Sequence, residues 1–137
     1  MILVDTGIIF GAADTDDPRH EDCANLLNSL VSSAIGVIVP VIVESAWLIE
    51  SRLGPAAEVA FIRSINAGDI ERIEMTDADW GRVLELVEEY ADLGLGVVDA
   101  SVVAVAERFR VTQVATLDRR HFTVVRPAHA PTFELLP

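Results

Sequence analysis

Three acidic side chains stand alone in uncharged stretches of this 137-residue chain. Asp5 is the only charge between Ile2 and Phe10, Glu44 the only one between Cys23 and Ile49, and Asp99 the only one between Leu93 and Ala106. A fourth, Asp118, follows the run Val111 to Thr116. An ionised carboxylate in apolar surroundings is costly unless something pairs with it. Brought to one place, four such groups repel until one protonates or a cation sits between them. Lysine cannot be that cation, because all ten basic residues are arginine. A divalent ion that prefers oxygen ligands, Mg²⁺ or Mn²⁺, is the natural partner. A metal held by carboxylates with open positions activates water and steadies charge on a phosphate, which is the chemistry of phosphodiester hydrolysis.

Neighbouring residues fit that chemistry. Thr6, Ser101 and Thr116 place hydroxyls beside three of the acids, suited to hold a water or a phosphate oxygen. The stretch Arg108 to Arg126 carries five arginines and one acid, a local charge of +4, while the other 118 residues carry −16. Arg119 and Arg120 within it are the candidate phosphate contacts, since the guanidinium fork binds two oxygens at once. Structural roles compete at each position. Asp5 and Asp99 suit helix N-caps, Glu44 a helix dipole, Asp118 a turn, and the arginines a solvated face paired with the excess acids. His20, His121 and His129 lack metal-binding spacing and read as structural or surface residues, with His121 a weak RNA-contact candidate beside Arg120. Cys23, Trp47 and Trp80 fit core faces, the tryptophans with a partner surface as the alternative. Asp92 reads as a solvated helix end.

The elements that must position these groups alternate. Ile2 to Val4 reads as a strand, Thr6 to Ala13 as a helix, Asp14 to Pro18 as a turn. Cys23, Leu26, Leu27, Leu30 and Val31 recur at helical spacing, giving a helix over about 18–32 that Gly36 breaks. Val37 to Val39 is a β-branched strand. A helix follows from Pro40 to Leu53, and another from Pro55 to Ala67 with Gly68 as its stop. Ile70 to Met75 is a strand candidate. Thr76 to Asp79 forms a capping box, and Trp80, Val83, Leu84, Val87 and Ala91 mark an amphipathic helix. Val97 to Phe109 is an apolar helix and Val111 to Thr116 a strand. Arg119 to Phe122 is a turn or short helix; Thr123 to Arg126 and Thr132 to Leu135 are weaker strands. Such alternation implies a single α/β domain over 1–137 around a central parallel sheet. Ligand sites in these sheets lie beyond the carboxyl ends of the strands. Each of the four acids falls at a strand exit or near a helix start.

Composition removes several alternatives. One cysteine excludes a disulfide scaffold and a cysteine-based zinc finger. The lack of lysine excludes a P-loop, a protein kinase and Schiff-base chemistry. A net charge of −12 argues against general nucleic-acid affinity. The uncharged stretch Cys23 to Val43 contains Asn25, Asn28, Gly36 and Pro40 and reads as helix, turn and strand, not a membrane span. The N-terminus lacks a basic n-region, so the expectation is a soluble cytoplasmic protein.

Val4-Asp5-Thr6-Gly7, Val43-Glu44, Val98-Asp99-Ala100-Ser101 and Thr116-Leu117-Asp118-Arg119-Arg120-His121-Phe122, in that order, resemble the motifs of PIN-domain nucleases. Their spacing over essentially the whole chain is similar to that of VapC-type toxins of bacterial type II toxin–antitoxin pairs. The resemblance implies a PIN fold, with helices flanking the central parallel sheet in three layers, and Mg²⁺- or Mn²⁺-dependent endoribonuclease activity on structured RNA, tRNA or rRNA. It implies Asp5, Glu44, Asp99 and Asp118 as the catalytic, metal-binding quartet, with Asp5 and Asp99 the principal ligands. It also implies a homodimer and a cognate antitoxin that covers the site. A dehalogenase-type phosphatase would need an acid where Gly7 stands, and both it and a receiver domain would need lysine. A DNA flap-type nuclease, sharing the acidic chemistry, and a non-catalytic acidic interaction module stand as alternatives.

Overall fold

The computed structural model describes residues 1–30 and 34–137; Val31 and Ser32, the end of the helix expected over 18–32, lie outside the described residues, and Leu30 before them is already extended. The strands are β1 (Ile2–Val4), β2 (Ile35–Ile38), β3 (Glu71–Ile73), β4 (Gln113–Ala115) and β5 (Glu134–Leu136). The helices are α1 (Thr6–Ala13), α2 (His20–Ser29), α3 (Val39–Leu53), α4 (Pro55–Ala67), α5 (Asp77–Glu89), α6 (Val97–Phe109) and α7 (Arg119–Val124).

All four strand pairings are parallel, in the order β3-β2-β1-β4-β5. The chain therefore walks from β1 outward to β3, returns across the sheet, and continues from β4 to β5. Right-handed crossovers then place α1–α4 on one face and α5–α7 on the other. The direction of travel reverses between β1 and β4, which makes a crevice at their carboxyl ends. Asp5 follows β1 there, and Asp118 follows β4 by three residues. Burial matches this layering: β1 and β2 are buried throughout, and α6 is buried continuously from Ala100 to Ala106. Small Ala and Val side chains let α6 lie close on the sheet and carry Asp99 to the crevice in its first turn.

Several boundaries differ from expectation for physical reasons. Gly36 does not end a helix; it lies inside β2. A Cβ there would stand 2.6 Å from Ile73 Cδ1, so glycine lets β3's side chain close over the strand. Val39 opens α3 instead of ending β2, with Pro40 supplying the preset first-turn backbone. Thr123 to Arg126 is not a strand. Asp118 accepts the His121 N–H and starts α7, which buries Phe122 and consumes Thr123 and Val124. The strand candidates Ile70 to Met75, Val111 to Thr116 and Thr132 to Leu135 settle as the shorter β3, β4 and β5.

The capping box of α5 is present: Thr76 Oγ1 accepts the Asp79 N–H and Asp79 accepts the Thr76 N–H. The face that α5 buries is in part the one expected: Val83 is buried and Val87 packs against the core. Asp79 pairs with Arg108 and Arg82 with Glu107, and these two links to α6 set the stripe Asp79, Val83, Leu86 inward. Trp80 and Leu84, one residue round the helix, are left exposed. Among the described residues no helix is long and apolar enough to cross a membrane.

Candidate active site

The crevice between β1 and β4 is wired by a chain of short hydrogen bonds. Asp5 caps α1, accepting the Thr6 N–H at 2.8 Å on one carboxylate oxygen. Its other oxygen accepts the Thr116 hydroxyl at 2.7 Å. Thr116 Oγ1 in turn accepts the Asp118 N–H at 2.9 Å. Asp118 Oδ1 accepts the His121 N–H at 3.0 Å, which leaves Oδ2 turned to the His121 ring. His121 Nδ1 lies 2.9 Å from that oxygen and 2.6 Å from Asp99 Oδ2. One donor atom each from Asp99, Asp118 and His121 falls within 4.8 Å of the others.

Burial and mutual repulsion set the electrostatics. Burial pushes the Asp5 carboxyl from 3.8 up to about 6; Asp99 and Glu44 add to the rise, and the bonds from Thr116 and Thr6 oppose it. Asp99 is also raised, first by burial, then by Asp118 and Glu44, against the His121 hydrogen bond. The two raised carboxyls thus feel the other expected acids: Asp5 feels Asp99 and Glu44, and Asp99 feels Asp118 and Glu44. Carboxyls held in this state are short of positive charge. The Thr6 hydroxyl, buried beside Asp5, has no hydrogen-bond partner among the described residues. Crowded carboxylate oxygens with a spare buried hydroxyl suit a hard divalent cation.

The structure separates the remaining expected residues. Glu44 sits in the second turn of α3, exposed at the edge of the field and outside the tight cluster. Ser101 is buried, and its hydroxyl donates to Val97 O at 2.7 Å, so it is spent inside α6 and not on the site. Arg119 and Arg120 are exposed on α7, donating to the Pro137 and Leu93 carbonyls. Arg108 is tied to buried Asp79 and the Glu74 carbonyl. Asp92 is exposed in a 3-10 turn. His20 and His129 bond the Gly11 and Val111 carbonyls, structural roles as expected. His121, read from the sequence as structural or surface and as a weak RNA contact, is the residue that the fold brings into the acidic cluster. Its signal was the Asp118-to-His121 spacing of three, which places two side chains on one face only if the segment is helical.

Trp47 and Trp80 are not core residues. They flank an apolar groove of about 660 Å³ with Val43, Met75, Val97 and Val98, and Glu44 joins this groove to the acidic crevice. The helices α3 and α5 bury their opposite stripes, Val41, Ile42, Ser45 and Ile49 on one and Asp79, Val83 and Leu86 on the other, which turns both indoles outward.

A parallel sheet in this strand order, with acids gathered at the carboxyl ends of its two central-path strands, defines a class. The sequence profile of the PIN domain matches residues 2–126, and the chain belongs to that family. Ribonuclease VapC26 of Mycobacterium tuberculosis (strain ATCC 25618 / H37Rv) is 30% identical over 136 residues, 99% of this chain and 100% of that protein. The crystal structure of M. tuberculosis VapC20, a sarcin–ricin loop cleaving toxin, superposes with a TM-score of 0.76 at 21% identity, covering 83% of this chain and 87% of that one. A toxin–antitoxin complex from Klebsiella pneumoniae superposes with a TM-score of 0.71 at 16% identity, covering 98% of this chain and 100% of that one. These two structures resemble it in fold.

Proposed function

We propose that this protein is a metal-dependent endoribonuclease, the toxin of a type II toxin–antitoxin pair, and that it hydrolyses phosphodiester bonds in structured RNA. The observation that carries the reading is the single acidic field at the β1–β4 crevice, in a chain of the PIN-domain family that is 30% identical to a ribonuclease over nearly its whole length.

Asp5, Glu44, Asp99 and Asp118 are the residues proposed to hold Mg²⁺ or Mn²⁺. When bound, such an ion supplies an activated water and positive charge for the phosphate. The chain's own residues do the positioning. Thr116 ties Asp5 to the Asp118 backbone, so the exits of β1 and β4 are hydrogen-bonded to one another. The Thr6 hydroxyl, unengaged, is suited to hold a water or a phosphate oxygen. Arg119 and Arg120 on exposed α7 would contact the RNA backbone, where their charge offsets a protein of net −12.

A cognate antitoxin is the proposed protein partner, in the cytoplasm, with all of 1–137 acting as one PIN domain. A second copy of the chain is proposed to cover the groove beside Glu44. Val43, Trp47, Trp80, Leu84 and Val97 are 62, 65, 48, 60 and 50% exposed. Together they offer on the order of 500 Å² of apolar surface, against about 800 Å² that each partner buries in a standard interface.

Matched pools of structured RNA and of single-stranded, duplex and flap DNA, each incubated with Mn²⁺, test the substrate class. Cleavage of RNA alone is expected. Cleavage of flap DNA with RNA left intact would replace this reading by that of a DNA nuclease.

A further inference from the structure

We infer that His121 is itself a metal ligand, so that the site is a mixed oxygen–nitrogen one that binds Mn²⁺ in preference to Mg²⁺. The inference deepens the metal-site reading above and rests on it. Three observations carry it. His121 Nδ1 faces two carboxylates from different elements at once, Asp99 of α6 at 2.6 Å and Asp118 at the head of α7 at 2.9 Å. A single Nδ1–H cannot serve both well. Adjacent ligand atoms around an octahedral ion lie about 3 Å apart; the ring nitrogen stands near that spacing from each of the two carboxylate oxygens, and one donor atom from each of the three residues falls within 4.8 Å of the others. The backbone that carries the ring is also fixed. Its N–H is bound by Asp118 Oδ1, and the next residue, Phe122, is buried against Phe133.

The chemistry of the donor set then decides between ions. Mg²⁺ takes oxygen almost exclusively and keeps its waters. Imidazole nitrogen suits transition ions, and Mn²⁺, a transition ion that also favours carboxylate oxygen, accepts it where Mg²⁺ does not. An all-carboxylate site would treat Mg²⁺ and Mn²⁺ more evenly. The two remaining histidines are occupied elsewhere, His20 on the Gly11 carbonyl and His129 on the Val111 carbonyl, so an imidazole signal from a bound ion reports His121.

Electron spin-echo envelope modulation of the protein loaded with Mn²⁺ reads nitrogen coordination directly, without turnover. Modulation from a directly bound ¹⁴N is expected, changing to the ¹⁵N pattern when histidine is ¹⁵N-labelled. Labelling leaves the fold untouched. Calorimetric titration of His121→Gln, which keeps a donor for Asp99 but offers no ring nitrogen, is expected to show Mn²⁺ affinity reduced about tenfold or more with Mg²⁺ affinity within about twofold of the parent. Mn²⁺ bound with no nitrogen modulation would overturn the inference and leave a carboxylate-only site standing. Absence of any Mn²⁺ binding would overturn the metal-site reading as well.

Discussion

Replacing Asp5 by asparagine separates the cost of the acidic field from its use. The carboxyl is 6% exposed, and its folded-state value of about 6 lies above the ordinary 3.8. That difference amounts to about 3 kcal/mol of stability lost when the group is ionised, at about 1.4 kcal/mol per unit. The sign fixes the window. Well below pH 3.8 the carboxyl is protonated in both folded and unfolded chains and the cost is absent. It builds as pH rises from 4 to 6 and is fully present above 7. Asparagine removes the charge, but its NH₂ must find an acceptor where Thr116 now donates, an adjustment costing about 1 kcal/mol. Asp5→Asn is therefore expected to be about 2 kcal/mol more stable than the parent at pH 7.5 in EDTA, with the gap closing towards pH 4.5. Urea unfolding at pH 4.5, 5.5, 6.5 and 7.5 measures it. A variant less stable than the parent at pH 7.5, or a gap that does not change with pH, would refute the reasoning that Asp5 is a strained acid and not a simple helix cap.

Other expectations follow from the packing and the surface. Arg108→Ala leaves buried Asp79 without its cation and is expected to cost about 3 kcal/mol by chemical denaturation, most of it recovered by the double variant with Asp79→Asn. Gly11→Ala would place a Cβ 2.7 Å from Cys23 Sγ where α1 meets α2; a loss of about 2 kcal/mol is expected, and less when combined with Cys23→Ala, a coupling that a double-mutant cycle reads. Trp47→Glu is expected to convert a dimer to a monomer in sedimentation velocity with Asp99 untouched; an unchanged mass would place self-association on another face. Arg119→Ala with Arg120→Ala is expected to weaken RNA binding and flatten its salt dependence by about two phosphate contacts, read from binding at several salt concentrations.

What could be read in advance depended on how local the cause was. The strand before Asp5, the proline that opens α3, the Gly54–Pro55 break and the Thr76–Asp79 box are each set by neighbouring residues, and each is found where expected. The isolation of Asp5 and Asp99 among apolar residues also survives into the structure, where burial is the first cause that raises both carboxyls; Glu44, equally isolated in the sequence, ends exposed. Errors arose where the cause was distant in sequence. Gly36 resembled a helix breaker, yet its role is to admit Ile73 from another strand. Trp80 and Leu84 have the spacing of a core stripe, but ion pairs from α6 choose the neighbouring stripe. Ser101 sits beside Asp99 in sequence, and its hydroxyl turns back on its own helix. His121 was obscured by the opposite error: three residues from Asp118, it meets Asp99 from 22 residues away only through the fold.

The central claim is a metal-dependent ribonuclease built on this acidic crevice. Total bacterial RNA incubated with the purified chain in Mg²⁺ or Mn²⁺, with and without EDTA and alongside Asp5→Ala and Asp99→Asn, tests it most directly once cut ends are mapped. Discrete cuts within structured RNA that vanish with EDTA and with either substitution are predicted. Folded, antitoxin-free protein that leaves all RNA intact, or cuts that persist in EDTA or in the variants, would contradict it.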